Sequence, residues 1–179
     1  MPGFPAPPPR PDLSDASTGI RYASFWQRLG GRIIDGLILG VPAAIGFWGA
    51  FGSDIMGEIR ARQTAGQFGR WDIAQLGGRF LAFTLFSALV AATYEIVLIH
   101  LKGQTVGKMA VHIKVIQIED GGLPSWDRSL IRWAVPEAAR WVPVIGGLLA
   151  LVVYLWMLWD PSRQGLHDKA ARTIVIRTV

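Results

Sequence analysis

The sequence predicts an all-α membrane protein with a small cytoplasmic β element: three clear transmembrane helices, plus one further helix that is amphipathic, re-entrant or spanning. Three observations carry that prediction. Hydrophobic residues make up 51% of the 179, a high share for a soluble chain of single-domain length. Three apolar runs, residues 33–52, 80–101 and 142–159, come close to or pass the roughly 20 residues that cross a ~30 Å hydrocarbon core. Two short β-branched segments, one around 111–116 and one at 172–179, invite pairing with each other.

Composition narrows the function classes. There are no cysteines, which removes disulfides, thiol catalysis and cysteine-ligated metals together. The formal charge of +5 comes from 18 scattered Lys and Arg residues. That scatter suits the cytoplasmic flanks of membrane spans better than a nucleic-acid surface, so the expected partner is the lipid bilayer and no nucleic acid.

Taken in order, residues 1–21 are rich in Pro, Gly and Ser and read as a disordered cytoplasmic tail, with residues 22–179 as the membrane domain. The start lacks the charged, apolar and small-residue sections of a secretory signal. Span one, "IIDGLILGVPAAIGFWGAFG" (33–52), carries Pro42 and the glycines Gly36, Gly40, Gly46 and Gly49. Both residue types are tolerated in membrane helices, and the glycines suggest tight packing against a partner helix. Residues 53–79 turn polar and read as an aqueous loop with a short amphipathic helix. Span two, "FLAFTLFSALVAATYEIVLIHL" (80–101), carries Glu95 about two thirds of the way along and His100 near its exit.

After it comes "GQTVGK", with Gly103, Gln104, Thr105, Gly107 and Lys108. A phosphate-binding P-loop needs one more residue between its glycines and a Ser or Thr after the lysine, so this segment reads as a tight turn into the first strand. Ser125 is placed to cap a helix over 125–140, which is too charged to face lipid alone. Residues 142–159 form the third span and end in an aromatic belt of Tyr154, Trp156 and Trp159. If 125–140 also crosses or re-enters, both termini and the "GQTVGK" turn face the cytoplasm. Eleven Lys and Arg then lie inside, in 1–32, 102–124 and the C-terminal tail, against four in the loop after span one.

Chemistry-bearing motifs are few. His100, His112 and His167 lack metal-ligand spacing, and no nucleophile–base pattern occurs, so neither an enzyme, a cofactor nor a metal is expected. What stands out is charge at the edge of oil, where a lone carboxylate costs roughly 2.5–3.5 kcal/mol. On a helix Arg28, Arg32 and Asp35 share one face, and Arg32 can reach Asp35 across one turn. Arg28 lies about 10 Å from Asp35 along the axis and must pair elsewhere, with Glu95 or Asp168 as candidates. The network of Arg28, Arg32, Asp35, Glu95 and Asp168 either holds helices in register or lines a polar path for a cation or proton.

Three segments, "YASFWQRLGGRIIDGLIL" (22–39), "GQTVGKMAVHIKVI" (103–116) and "DPSRQGLHDKAARTIVI" (160–176), together resemble the RDD family of small bacterial membrane proteins, named for an arginine and two aspartates. Arg28, Asp35 and Asp168 stand where the resemblance puts those three residues. The loop at 53–79 matches no motif of that family. The resemblance implies an inner-membrane, multi-pass protein, with transport of ions or other ligands as the suggested role. Two functions follow as expectations: transport of an ion or small ligand, which three or four helices would perform as a homo-oligomer, or assembly as an accessory subunit of a larger membrane complex.

Overall fold

A computed structural model of the chain describes residues 21–65 and 73–178. The predicted Pro-rich tail therefore lies outside the described residues, except for Arg21. The chain is mostly helical, with one small sheet. Two long helices, Phe25–Ala65 (α1) and Ile73–Lys102 (α2), dominate. They are followed by a short helix, Val106–Ala110 (α3), a strand, Ile113–Gln117 (β1), and a helix, Trp126–Arg140 (α4). Gly146–Leu155 (α5) runs into a 3-10 turn at Trp156–Leu158, and Leu166–Ala170 (α6) leads to the second strand, Thr173–Arg177 (β2).

Among the described residues, α1 and α2 are the helices long and apolar enough to cross a membrane, and only 6% of the most apolar window of each is buried within the protein. The core helix of a soluble protein would hide that surface. Here Ile33, Leu37, Ile45 and Trp48 on α1, and Leu81, Leu85, Phe86 and Leu89 on α2, stand exposed, a contiguous apolar exterior that requires a non-aqueous covering. At about 1.5 Å per residue α1 is about 60 Å long, twice a hydrocarbon core. Charges mark where that core fits. On α1 about 28 Å separates Asp35 from Asp54, with no charged residue between them. At the far border Asp54 pairs with Arg79 of α2 at 2.8 Å, and Arg79 also lies 5.2 Å over the Phe51 ring.

The polar stretch at 53–79 differs from the expected loop. Residues 53–65 continue α1 and 73–79 begin α2; residues 66–72 lie outside the described part. "GSDIMGEIRARQTA" contains no proline, and a change from apolar to polar side chains alters what a helix faces without ending it. The expected third span also differs. Residues 141–145 form turns around Pro143, with Val144 at φ 66°, and the apolar helix runs from Gly146 to Leu158. Those thirteen residues reach only about 20 Å, so among the described residues two helices, not three, have the length of a full span. The helix instead folds back on α4, where Gly146 packs against the Arg140 carbonyl. The expected aromatic belt is likewise divided: Trp156 and Trp159 are exposed, while Tyr154 turns inward to Arg32.

The two strands pair with each other, antiparallel, with Ile113 opposite Arg177, Val115 opposite Val175 and Gln117 opposite Thr173. Each strand is preceded by the same unit: a five-residue helix, then two residues of which the second has positive φ (His112 at 55°, Arg172 at 52°). Residues 105–117 and 165–177 are thus a structural repeat related by a local two-fold through Val115 and Val175. The entry to α1 adds a third edge that the sequence did not reveal, with the Ala23 N–H donating to the Val175 carbonyl and the Arg177 N–H to that of Arg21. Ala23, Ile99, Ile113, Val115 and Val175 form the buried core beneath.

The glycines on α1 behave differently from expectation. Within this chain nothing lies within 4 Å of a Cβ built at Gly36, Gly40 or Gly49, and only Phe83 approaches Gly46. Truncating Ile99, 1% exposed in the core, to alanine should lower unfolding stability in detergent by about 3 kcal/mol. Gly36→Ala should leave it unchanged or raise it; thermal denaturation of both variants checks the contrast.

Candidate functional site

The site grows from two glycine-dependent turns at the end of the spans. Gly103 closes α2 at φ 70° and a side chain there would meet the Val115 carbonyl; its N–H donates to Ile99 and its carbonyl accepts from Val115, so it joins α2 to β1. Gln104 donates to the Ile113 carbonyl at 2.9 Å. Thr105 then caps α3, accepting from the Lys108 N–H. Gly107 lies directly against the Gly31 carbonyl and the Asp35 carboxyl of α1, an approach that no larger residue permits.

That approach explains Asp35. Its carboxylate accepts from the Gly107 N–H at 2.8 Å, the Thr105 hydroxyl at 2.5 Å and the Tyr94 hydroxyl at 2.7 Å. The predicted Arg32–Asp35 pair does not form. Arg32 instead donates to Glu95 at 3.0 Å and to the Tyr154 hydroxyl at 2.8 Å, because α2 and α5 bring partners to its far side. Lys108, 6% exposed, fills the space between the carboxylates: Nζ lies 3.8 Å from Glu95 Oε1, 4.0 Å from Asp35 Oδ2 and 3.2 Å from the Thr105 hydroxyl. Burial pushes its ammonium down to about 8, against Glu95, which favours the charge.

Asp168 centres the second half. Of the two candidates for Arg28, the structure selects Asp168, at 2.5 Å; Arg28 also donates to the Arg163 carbonyl at 2.6 Å. The other carboxylate oxygen meets Arg132 of α4, which reaches the Thr173 hydroxyl at 3.1 Å as well, while the Gly165 N–H donates to Oδ2 at 3.0 Å. Burial alone would raise the Asp168 carboxyl; Arg132 and Arg28 outweigh it and hold it well below the usual carboxylate range. His167 beside it is buried and pushed down to about 3 chiefly by desolvation, so it is neutral near pH 7. Of the other histidines, His100 hydrogen-bonds the Pro124 carbonyl at 3.0 Å.

The five network residues predicted from the sequence thus fall into two clusters, Arg32–Glu95–Lys108–Asp35 and Arg28–Asp168–Arg132. Sequence reasoning missed Arg132, Tyr94 and Tyr154, and it placed Lys108 in a turn rather than among the charges. Arg132 carried a signal: it is the charged residue in the middle of an otherwise half-apolar helix. A cavity of about 350 Å³ touches both clusters, lined by Arg28, Arg32, Lys108, Arg132 and His167 together with apolar residues that include Leu29, Leu151 and Leu155. Among the described residues no group of His, Cys, Asp and Glu could hold a metal ion.

The profile of the RDD family matches residues 22–172, which takes in both clusters. The chain belongs to the RDD family. Among curated proteins it is similar to YteJ of Bacillus subtilis (strain 168), an uncharacterized membrane protein, 24% identical over 158 residues that cover 87% of this chain and 80% of YteJ. No solved structure matches the chain significantly. Membership of this family and the bare apolar faces of α1 and α2 together make it a membrane protein.

Two outcomes follow from the geometry. Gly107→Ala should force α3 off α1 and cost about 2–3 kcal/mol, read as a loss of thermal stability in detergent. His167 binds its proton far less readily folded than unfolded, where it titrates near 6.5. Stability should therefore fall as pH drops from about 6.5 towards about 3, where the unfolded chain takes up the proton first; His167→Gln should flatten that slope in a pH series of melting temperatures.

Proposed function

We propose that this RDD protein is a multi-pass protein of the inner membrane, with both termini cytoplasmic, that binds an ion or small ligand at the charge network and moves it across the membrane as a homo-oligomer. The observation that carries this reading is the cavity. A network serving only to hold helices together would close on itself, whereas this one borders an open space, and three of the residues lining it keep polar atoms unused: Arg28 Nε, Arg132 Nε and His167 Nδ1 are buried without a hydrogen-bond partner. Buried polar groups left unpaired at one place point to a missing partner there.

The topology is supported by the sheet. The residues entering α1 pair with β2 near the other end of the chain, so both ends of the membrane domain lie on one side, as an even number of crossings requires. The Lys and Arg excess on that side favours the cytoplasm. The accessory-subunit reading draws on a different observation, the unoccupied glycine face of α1, which equally suits contact between copies.

Cysteines placed at Ser17 and Thr178 should both react with an impermeant reagent only from the cytoplasmic side; reaction from opposite sides would overturn the topology. Purified protein in proteoliposomes should carry charge or ligand flux that falls at least tenfold in Glu95→Gln while the variant stays folded. A stoichiometric foreign subunit on purification, with no flux, would favour the accessory role instead.

A further inference from the structure

The cavity wall is unevenly charged. The ion pairs set four cations, Arg28, Arg32, Lys108 and Arg132, of which Arg32 is half-buried, against three carboxylates, Asp35, Glu95 and Asp168, which leaves one positive charge in surplus. All four cations line the cavity and none of the three carboxylates does. The one further cation on the wall, Arg140, is already offset by Glu137 at 3.4 Å. A desolvated, uncompensated positive charge is costly, and an anion is what relieves it.

The rest of the lining is largely apolar. Leu29, Leu151 and Leu155 line the same space as the four cations, together with Ile113 and Val175 of the sheet, and Leu29 and Leu151 are exposed. A small hydrated anion would leave the apolar part of this lining uncovered.

We propose that this cavity is a binding site for an anionic amphiphile, its monoanionic head against Arg28, Arg32, Lys108 and Arg132 and its apolar tail along Leu29, Leu151 and Leu155. The proposal deepens the ligand-binding reading above by naming the class of ligand. The chemistry is shared by two sources, an anionic membrane lipid and a soluble organic anion with an alkyl chain.

Lys108 makes the site proton-linked. Without its proton, three arginines face three carboxylates and the surplus vanishes, so the anion and one proton bind together. The groups facing Lys108 are Arg32 and Asp35 from α1, Glu95 from α2 and Arg132 from α4, with neutral His167 on the same wall from α6.

The test uses the full chain in a neutral maltoside detergent, with decanesulfonate as probe because its charge is constant with pH, and binding read by calorimetry. Expected is one saturable site per chain. Methanesulfonate (head alone) and decanol (tail alone) should bind at least about a hundredfold more weakly. Affinity for decanesulfonate should fall about tenfold per pH unit above about pH 8, the signature of one linked proton. Lys108→Gln should weaken binding at least tenfold and remove that pH dependence, while Arg128→Gln, outside the cavity, should change neither. Native mass spectrometry from nanodiscs of mixed phosphatidylglycerol and phosphatidylcholine then separates the sources: selective retention of phosphatidylglycerol assigns the site to lipid, and its absence with decanesulfonate bound assigns it to soluble amphiphiles. Equal affinity for methanesulfonate or decanol, absence of any binding, or wild-type affinity that does not change between about pH 7 and about pH 9.5 would overturn the proposal. Binding without flux would leave this site standing and refute transport.

Discussion

A carboxylate with no exposed surface, Asp168, is the constraint on which the assembly of this protein depends. Removing a charge from water costs several kcal/mol even after relaxation, and here the compensation comes from three places far apart in the chain. Arg28 arrives on the first turns of α1, Arg132 on the middle of α4, and the Gly165 N–H from the turn that starts α6. Since Thr173 at the head of β2 shares Arg132, the same carboxylate also fixes the sheet against the helices. Losing one partner of such a group costs about 3–5 kcal/mol because the other charges stay buried.

The local two-fold gives this arrangement a counterpart. Position 168 in the second unit corresponds to position 108 in the first, so the repeat sets an anion and a cation at matching places in its two halves. The Asp168 half meets an arginine of α1; the Lys108 half meets, through Thr105 and Gly107, the aspartate of α1 two turns further along. One helix thus presents both signs, and each repeat unit takes the one opposite to its own. The spacing that places Arg28 and Asp35 about 10 Å apart on one face is what lets two units dock side by side on α1.

Much of this was legible before the structure. The apolar runs marked α1 and α2, whereas "GQTVGK", read as a tight turn, turns only as far as Thr105 and then forms the short helix α3. The two β-branched segments pair with each other as their composition implied, and β2 also takes the entry to α1 along its other edge. What escaped was whatever depends on tertiary choice. Arg32 and Asp35 are neighbours on a helix, and their pairing is the local solution, yet α2 and α3 offer Glu95 to one and three donors to the other, and several fixed donors outcompete one flexible side chain. Helix ends were misjudged in both directions for reasons of backbone chemistry. Nothing in "GSDIMGEIRARQTA" stops a helix, so α1 outruns its apolar part, whereas Pro143 in "WVPVIGG" shortens a run whose composition alone is long enough to span.

The position of the network relative to the apolar exterior decides what kind of site it can be. Asp35 and Glu95 stand where the uncharged stretches of α1 and α2 end, with the β element directly beyond, rather than halfway along the helices. Charges at such a border cost less than at the centre of the hydrocarbon. A continuous polar path across the membrane would need further polar groups along the roughly 28 Å of α1 that separates Asp35 from Asp54, and that stretch carries no charged residue. A single chain therefore provides a site at one face and an apolar rod beyond it. Passage of anything bound there has to be completed by surfaces that one copy does not contain, and the unfilled glycine face of α1 lies on that rod.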